Sequence, residues 1–273
     1  MKKHNYSAGP CILPQEVFEK SAQAILNFND SGLSLLEISH RSKDFVAVMD
    51  EARAIVLELL GLEGKGYQAL FLAGGASLEF IMAPYNLMKE GGKAAYLDTG
   101  TWAGAAIKEA KLFGDTVVVA SSKEEILGKT GRMIPSMLDY TKHIKAESMY
   151  NTPPVFPVYA SLLTLQWLKN LGGIAAIEKI NNAKAALLYT EIDRNPLFKG
   201  AAAVEDRSNM NATFLLNDET HAATFDAMWK AAGISGLPGH RSVGGYRASM
   251  YNALPLESVQ VLVDVMQELE RTV

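Results

Sequence analysis

The chain has 273 residues, 48% of them hydrophobic, and 26 Lys and Arg against 30 Asp and Glu give it a net charge of −4. That suits one large core, or a large and a small one, and an acidic chain with no basic stripe argues against a nucleic-acid partner. A single cysteine, Cys11, excludes an internal disulfide, and five scattered histidines show no metal-ligand spacing, so structural zinc and redox roles drop out. Met1-Lys2-Lys3 runs into polar residues rather than an apolar stretch, and no window reaches the ~20 apolar residues that span a bilayer. The expected setting is the cytoplasm, with no membrane partner.

Pro14 opens an amphipathic helix over about 14–29. Val46, Met49, Ala52, Ile55, Val56 and Leu59 recur at helical spacing until Gly61 stops a second one. His40-Arg41 follows Leu36-Glu37-Ile38-Ser39, which reads as the end of a strand. Residues 67–72 read as a buried strand, Gly74-Gly75 as a turn and 77–89 as a helix. Strand 94–97, helix 103–113 and strand 116–120 come next. This alternation implies a parallel sheet with helices on its faces. Residues 123–149 are mixed and polar. Long helices follow over 158–171 and 174–194, then strands at 212–216 and 246–252 and helices at 220–232 and 256–271.

Four places carry chemistry. In Phe71-Leu72-Ala73-Gly74-Gly75-Ala76-Ser77 the glycines sit where free N–H groups and the positive end of a helix dipole would face a phosphate. Trp102 follows the next strand, at the sheet edge where ligands of open α/β sheets bind, and an indole there stacks on a planar ring or fills a helix start. Asn151-Thr152-Pro153-Pro154 is a stiff polar turn. In Gly239-His240-Arg241-Ser242-Val243-Gly244-Gly245-Tyr246-Arg247, three potential cations flank a glycine pair in an acidic protein. Guanidinium forks suit carboxylate and phosphate, so His240-Arg241 can take one anionic group and Arg247 another, a solvated basic turn being the competing reading. A phosphate cradle, a stacking surface and a basic pocket together are the parts of a pyridoxal-phosphate enzyme acting on an acidic substrate.

Taken in order, Tyr6-Ser7-Ala8-Gly9-Pro10, Ile38-Ser39-His40-Arg41-Ser42, Gly74-Gly75-Ala76-Ser77, Thr99-Gly100-Thr101-Trp102, Asn151-Thr152-Pro153-Pro154 and the run from Gly239 to Ser249 resemble the phosphoserine aminotransferases over nearly the whole chain. The resemblance implies an α/β protein of fold type I among pyridoxal-phosphate transferases. It has a mostly parallel large-domain sheet over 14–150 with parts of 1–13, an interdomain helix region over 151–175 and a smaller α+β C-terminal domain over 176–273. It also implies a homodimer that moves an amino group between glutamate and 3-phosphohydroxypyruvate, giving phosphoserine and 2-oxoglutarate in serine biosynthesis. Ala76 and Ser77 would hold the cofactor phosphate, Trp102 would stack on the ring, and Asn151 and Thr152 would reach the phosphate from the partner subunit. Arg247 would take the α-carboxylate, with Arg41, His240 and Arg241 on the distal phosphate or carboxylate.

One departure matters for the chemistry. The family carries a block of several tens of residues where this chain passes directly from Ser122 to Glu125-Ile126. With that block would go the lysine that holds the cofactor as a Schiff base, the aspartate that pairs with the pyridinium nitrogen, and the sheet around them. Lys89, Lys93, Lys108, Lys111, Lys169, Lys179 and Lys184 read as solvated helix or turn residues, and Lys123 and Lys129 flank the join. The expectation is a truncated sheet with no catalytic lysine. The alternative to an enzyme is a non-catalytic form that binds pyridoxal phosphate or phosphorylated acids without turnover.

Overall fold

The computed structural model describes residues 3–8, 11–97, 101–117, 133–239 and 244–273. In chain order the elements are β1 (His4–Asn5), α1 (Gln15–Leu26), α2 (Lys43–Leu59), α3 (Gly75–Leu87), β2 (Lys93–Ala95), α4 (Thr101–Ala110) and β3 (Asp115–Val117). Then come α5 (Tyr140–Lys145), α6 (Val155–Asn170), α7 (Gly173–Arg194), β4 (Phe198–Gly200), β5 (Asn211–Leu216), α8 (Ala222–Ala231), β6 (Ile234–Ser235), β7 (Tyr246–Ser249) and α9 (Leu256–Thr272). The boundaries follow local chemistry. Ser42 accepts from the Phe45 N–H at the start of α2, whose Phe45, Val48, Met49, Ala52 and Ile55 form one buried stripe. Asn195, ahead of Pro196, ends α7 in extended backbone.

Contacts divide the chain into two compact units, residues 1–22 with 163–273, and residues 23–162. In the first, β4, β5 and β7 form an antiparallel sheet in that order, with Phe214 opposite Tyr246 and Thr213 opposite Arg247. β1 and β6 pair in parallel. Leu188, Ile192, Phe214, Phe225, Leu262 and Met266 are buried in one continuous core with Tyr6. The Tyr6 hydroxyl donates to the Ser258 carbonyl and so fastens the N-terminal arm to α9.

Two charged side chains of α7 are buried in this unit. Burial alone would push the Glu191 carboxyl up, but hydrogen bonds from Arg194, Asn195 and Gln267 outweigh it and hold the group below its ordinary value. Lys184 is fully buried rather than solvated as its place on a helix suggested, because α7 is covered along this face by the turn after β7. Desolvation lowers its ammonium to about 8. The unfolded chain therefore binds more protons than the folded one between pH 8 and the ordinary value of 10.5. Stability contributed through this group rises with pH across that window. In urea titrations from pH 7 to 10, the native chain should gain stability relative to Lys184→Met; a difference that shrinks as pH rises would contradict the assignment.

The second unit carries the truncated parallel sheet. β2 and β3 pair in parallel, Ala94 opposite Thr116, with α4 between them in sequence. Strands of a parallel sheet are normally buried on both faces, yet Lys93, Ala95, Asp115 and Val117 are exposed and Leu97 is 67% exposed. The strand expected over 67–72 does not form. A strand needs a partner for its N–H and C=O groups, and here the Phe71 N–H donates to Ser148 Oγ while the Ala69 carbonyl accepts from Arg53 Nε. The strand end expected before Ser39 is a pair of turns, in which the Glu37 N–H donates to the Ser34 carbonyl. Strand 116–120 is seen as Asp115–Val117, and 118–120 lie outside the described residues.

Asn86, fully buried on α3, uses its donors and its acceptor. It donates to the carbonyls of Met82 (2.7 Å) and Leu138 (2.7 Å) and accepts from the Tyr140 N–H (2.8 Å). It thereby ties α3 to the segment before α5.

Candidate cofactor and substrate site

The start of α3 is built by two glycines. Gly74 has φ 107°, and a Cβ there would lie 2.5 Å from Leu78 Cδ2, so both backbone and space demand glycine. Gly75 also has positive φ, 59°, but a Cβ on it meets nothing within 4 Å. The first turn carries no side-chain cap, and Ala76 and Ser77 are exposed, so the N–H groups of 75–77 face open space at the positive end of a 13-residue helix. That arrangement fits a phosphate.

A cleft of about 240 Å³ opens beside Gly75, lined by Leu70, Leu72, Glu79 and Tyr140. The Tyr140 hydroxyl donates to Glu79 Oε2, and burial, then the Glu79 carboxylate, raises the phenol above its ordinary value. Sequence reading missed this pair, since 61 residues separate its members and neither stands in a motif.

Trp102 lies in the first turn of α4 and is 71% exposed, so its ring face is free to stack. Asn151 is half-buried with its amide on the Thr152 carbonyl (3.2 Å), and Thr152 is exposed just ahead of α6. Arg41 is exposed in the turn before α2, its N–H on Ser39 Oγ and its guanidinium without a partner among the described residues. These residues belong to the unit 23–162. Its cradle and indole fit the phosphate and ring of pyridoxal phosphate. Every described lysine of this unit is at least partly exposed, and none lies in the cleft by the cradle.

Arg247 belongs to the other unit. It sits on β7, half-buried, its N–H donating to the Leu237 carbonyl (2.7 Å), and its Nε is buried with no partner among the described residues. Arg207 Nε is buried without an acceptor as well, but the other nitrogens of that guanidinium pair with Asp193 (2.7 Å). His240 and Arg241 lie outside the described residues, and Gly239 and Gly244-Gly245 on either side of them are described. The Gly239 N–H donates to the Gly245 carbonyl (2.8 Å), and a Cβ on Gly239 would come within 2.1 Å of the Gly244 oxygen.

The family profile described as Aminotransferase class-V matches residues 4–129 and 116–262. The chain belongs to the class-V aminotransferases. A relative named phosphoserine aminotransferase, from Flavobacterium psychrophilum, is 66% identical over 356 positions that cover 100% of both chains. The structure of phosphoserine aminotransferase from Bacillus circulans subsp. alkalophilus matches with a TM-score of 0.90 and 33% identity over 99% of each chain. A pyridoxal-phosphate-bound phosphoserine aminotransferase from Trichomonas vaginalis matches with a TM-score of 0.88 and 28% identity, over 97% of this chain and all of that one. An alignment of 356 positions against 273 residues leaves 83 positions with no residue of this chain opposite them. The profile match breaks into two stretches that overlap at 116–129, the stretch in which the sequence places the missing block. Within this class-V aminotransferase the profile is matched on both sides of the break.

Proposed function

We propose that the chain is a phosphoserine aminotransferase in its binding chemistry. It holds pyridoxal phosphate and the substrates of amino transfer between glutamate and 3-phosphohydroxypyruvate, and turnover requires the segment that is missing at 116–129. The observation that carries the reading is the pairing of an uncapped, glycine-opened α3 start with an exposed Trp102, in a chain 66% identical to a phosphoserine aminotransferase. When bound, pyridoxal phosphate supplies the electron sink for moving an amino group between carbon skeletons.

The residues of this chain bind and orient. The N–H groups of Ala76 and Ser77 take the cofactor phosphate, and Trp102 covers one ring face. Asn151 and Thr152 complete the phosphate site from the partner subunit of a homodimer. Arg247 pairs with the α-carboxylate, while Arg41, His240 and Arg241 take the phosphate of phosphoserine or the distal carboxylate of glutamate, a second basic site that a substrate with a small neutral side chain would not need. The expected setting is the cytoplasm and the expected role serine biosynthesis. Thermal unfolding with phosphoserine tests the binding half. The native chain should melt several degrees higher with millimolar ligand, and Arg241→Ala should lose most of that shift. No shift in the native chain would remove the reading.

A further inference from the structure

The turn that follows β7 has an unusual support. Lys184 Nζ, on α7 and fully buried, donates to the carbonyls of Met250 (3.1 Å), Tyr251 (2.9 Å) and Leu254 (3.2 Å). One turn earlier on α7, Asn181 Nδ2 donates to Asn252 Oδ1 (2.9 Å). A buried ammonium is costly, and an apolar side chain of like size fills such a space at no electrostatic cost. Here three carbonyls converge on it: that of Tyr251 also accepts from the Leu254 N–H (2.9 Å), whereas those of Met250 and Leu254 would lose this donor if the ammonium were removed.

Those carbonyls begin three residues after Arg247. β7 is only four residues long. Near its start the Arg247 N–H is fixed to the Leu237 carbonyl, and just beyond its end the Met250 N–H is fixed to the Met210 carbonyl (2.7 Å). Ser249 Oγ bonds Asn211 Oδ1 (2.9 Å) on the neighbouring strand. The sheet therefore holds β7 laterally, and α7 grips the turn that follows it. Arg247 presents a guanidinium whose Nε has no partner among the described residues, so no hydrogen bond at that nitrogen fixes its aim independently of the backbone.

We propose that Lys184, assisted by Asn181, is a positioning residue for Arg247: by fixing the turn 250–254 it sets the angle and height at which the guanidinium meets a ligand carboxylate. The inference rests on the proposed role of Arg247 and deepens it. Bidentate pairing tolerates little misplacement, so slackening the turn costs the carboxylate contact before it costs the fold.

The test compares two amine-free probes by calorimetry. 3-Phosphoglycerate carries a carboxylate and a phosphate, whereas glycerol 3-phosphate carries the phosphate alone. In the native chain 3-phosphoglycerate should bind at least tenfold more tightly. Lys184→Met should reduce that preference about tenfold while leaving glycerol 3-phosphate affinity unchanged. Asn181→Ala, a milder change that keeps the chain folded if Lys184→Met does not, should reduce the preference about threefold. A merely structural role would lower the melting temperature of either variant and leave the preference intact, which would overturn the proposal. Arg247→Ala separates the two layers. If it leaves the preference unchanged, the reading of Arg247 itself fails. If it abolishes the preference and neither α7 variant affects it, the site stands and the positioning role is wrong. In the Arg247→Ala background Lys184→Met should have no further effect on the preference, since the two changes act through one contact.

Discussion

Purified chain supplied with pyridoxal phosphate, phosphoserine and 2-oxoglutarate should form glutamate no faster than the cofactor does without protein. The family reaction needs a lysine that holds the cofactor and shuttles a proton, and a positioned proton carrier is worth roughly 10²–10⁴ in rate on its own. Every described lysine in the unit that bears the phosphate cradle is at least partly exposed and far from the environment that activates an amine, while buried Lys184 is committed to three carbonyls in the other unit. Inserting the corresponding segment of the Flavobacterium psychrophilum relative at the break in 116–129 should restore turnover by at least three orders of magnitude. A coupled assay for glutamate reads both arms, and turnover by the native chain alone would contradict the assignment.

Gly74→Ala should weaken pyridoxal phosphate binding at least tenfold and lower the stability of the chain by about 2 kcal/mol or more. A residue with a Cβ at positive φ costs roughly 1–2 kcal/mol, and this Cβ also collides with Leu78 Cδ2 at 2.5 Å. Gly75→Ala provides the contrast. Beyond its chain neighbours and its own helix backbone, its Cβ meets nothing within 4 Å, so the loss of stability should stay near the backbone penalty alone while the methyl enters the space a phosphate needs. Urea midpoints and cofactor titration of the two variants separate the effects. A Gly74→Ala chain as stable as the native one would refute the assigned backbone geometry.

Much of this was legible in the sequence because its determinants are local. Helical periodicity and stop signals placed α2, α7 and α9 to within a few residues, and the glycine pair announced the start of α3. Residues 67–72 were misread for a physical reason: their apolar, β-prone composition describes a strand inside a complete sheet. In this chain their backbone bonds instead with Ser148 and Arg53. The same blindness to distant partners hid Lys184, whose place on a helix gives no hint that the turn after β7 covers it, and hid the Tyr140–Glu79 pair beside the cradle. Trp102 stood out in sequence and stands exposed in the fold. His240 and Arg241 lie outside the described residues, so their role rests on chemistry and kinship.

The binding half of a transaminase without its covalent half is the claim on which the rest depends. Titrating the chain with pyridoxal phosphate, reducing with borohydride and mapping peptides by mass tests it in one measurement. The prediction is saturable binding that washes away after reduction, with no lysine modified stoichiometrically. Cofactor fixed to one lysine, Lys123 or Lys129 at the join above all, or an absence of saturable binding, would contradict it.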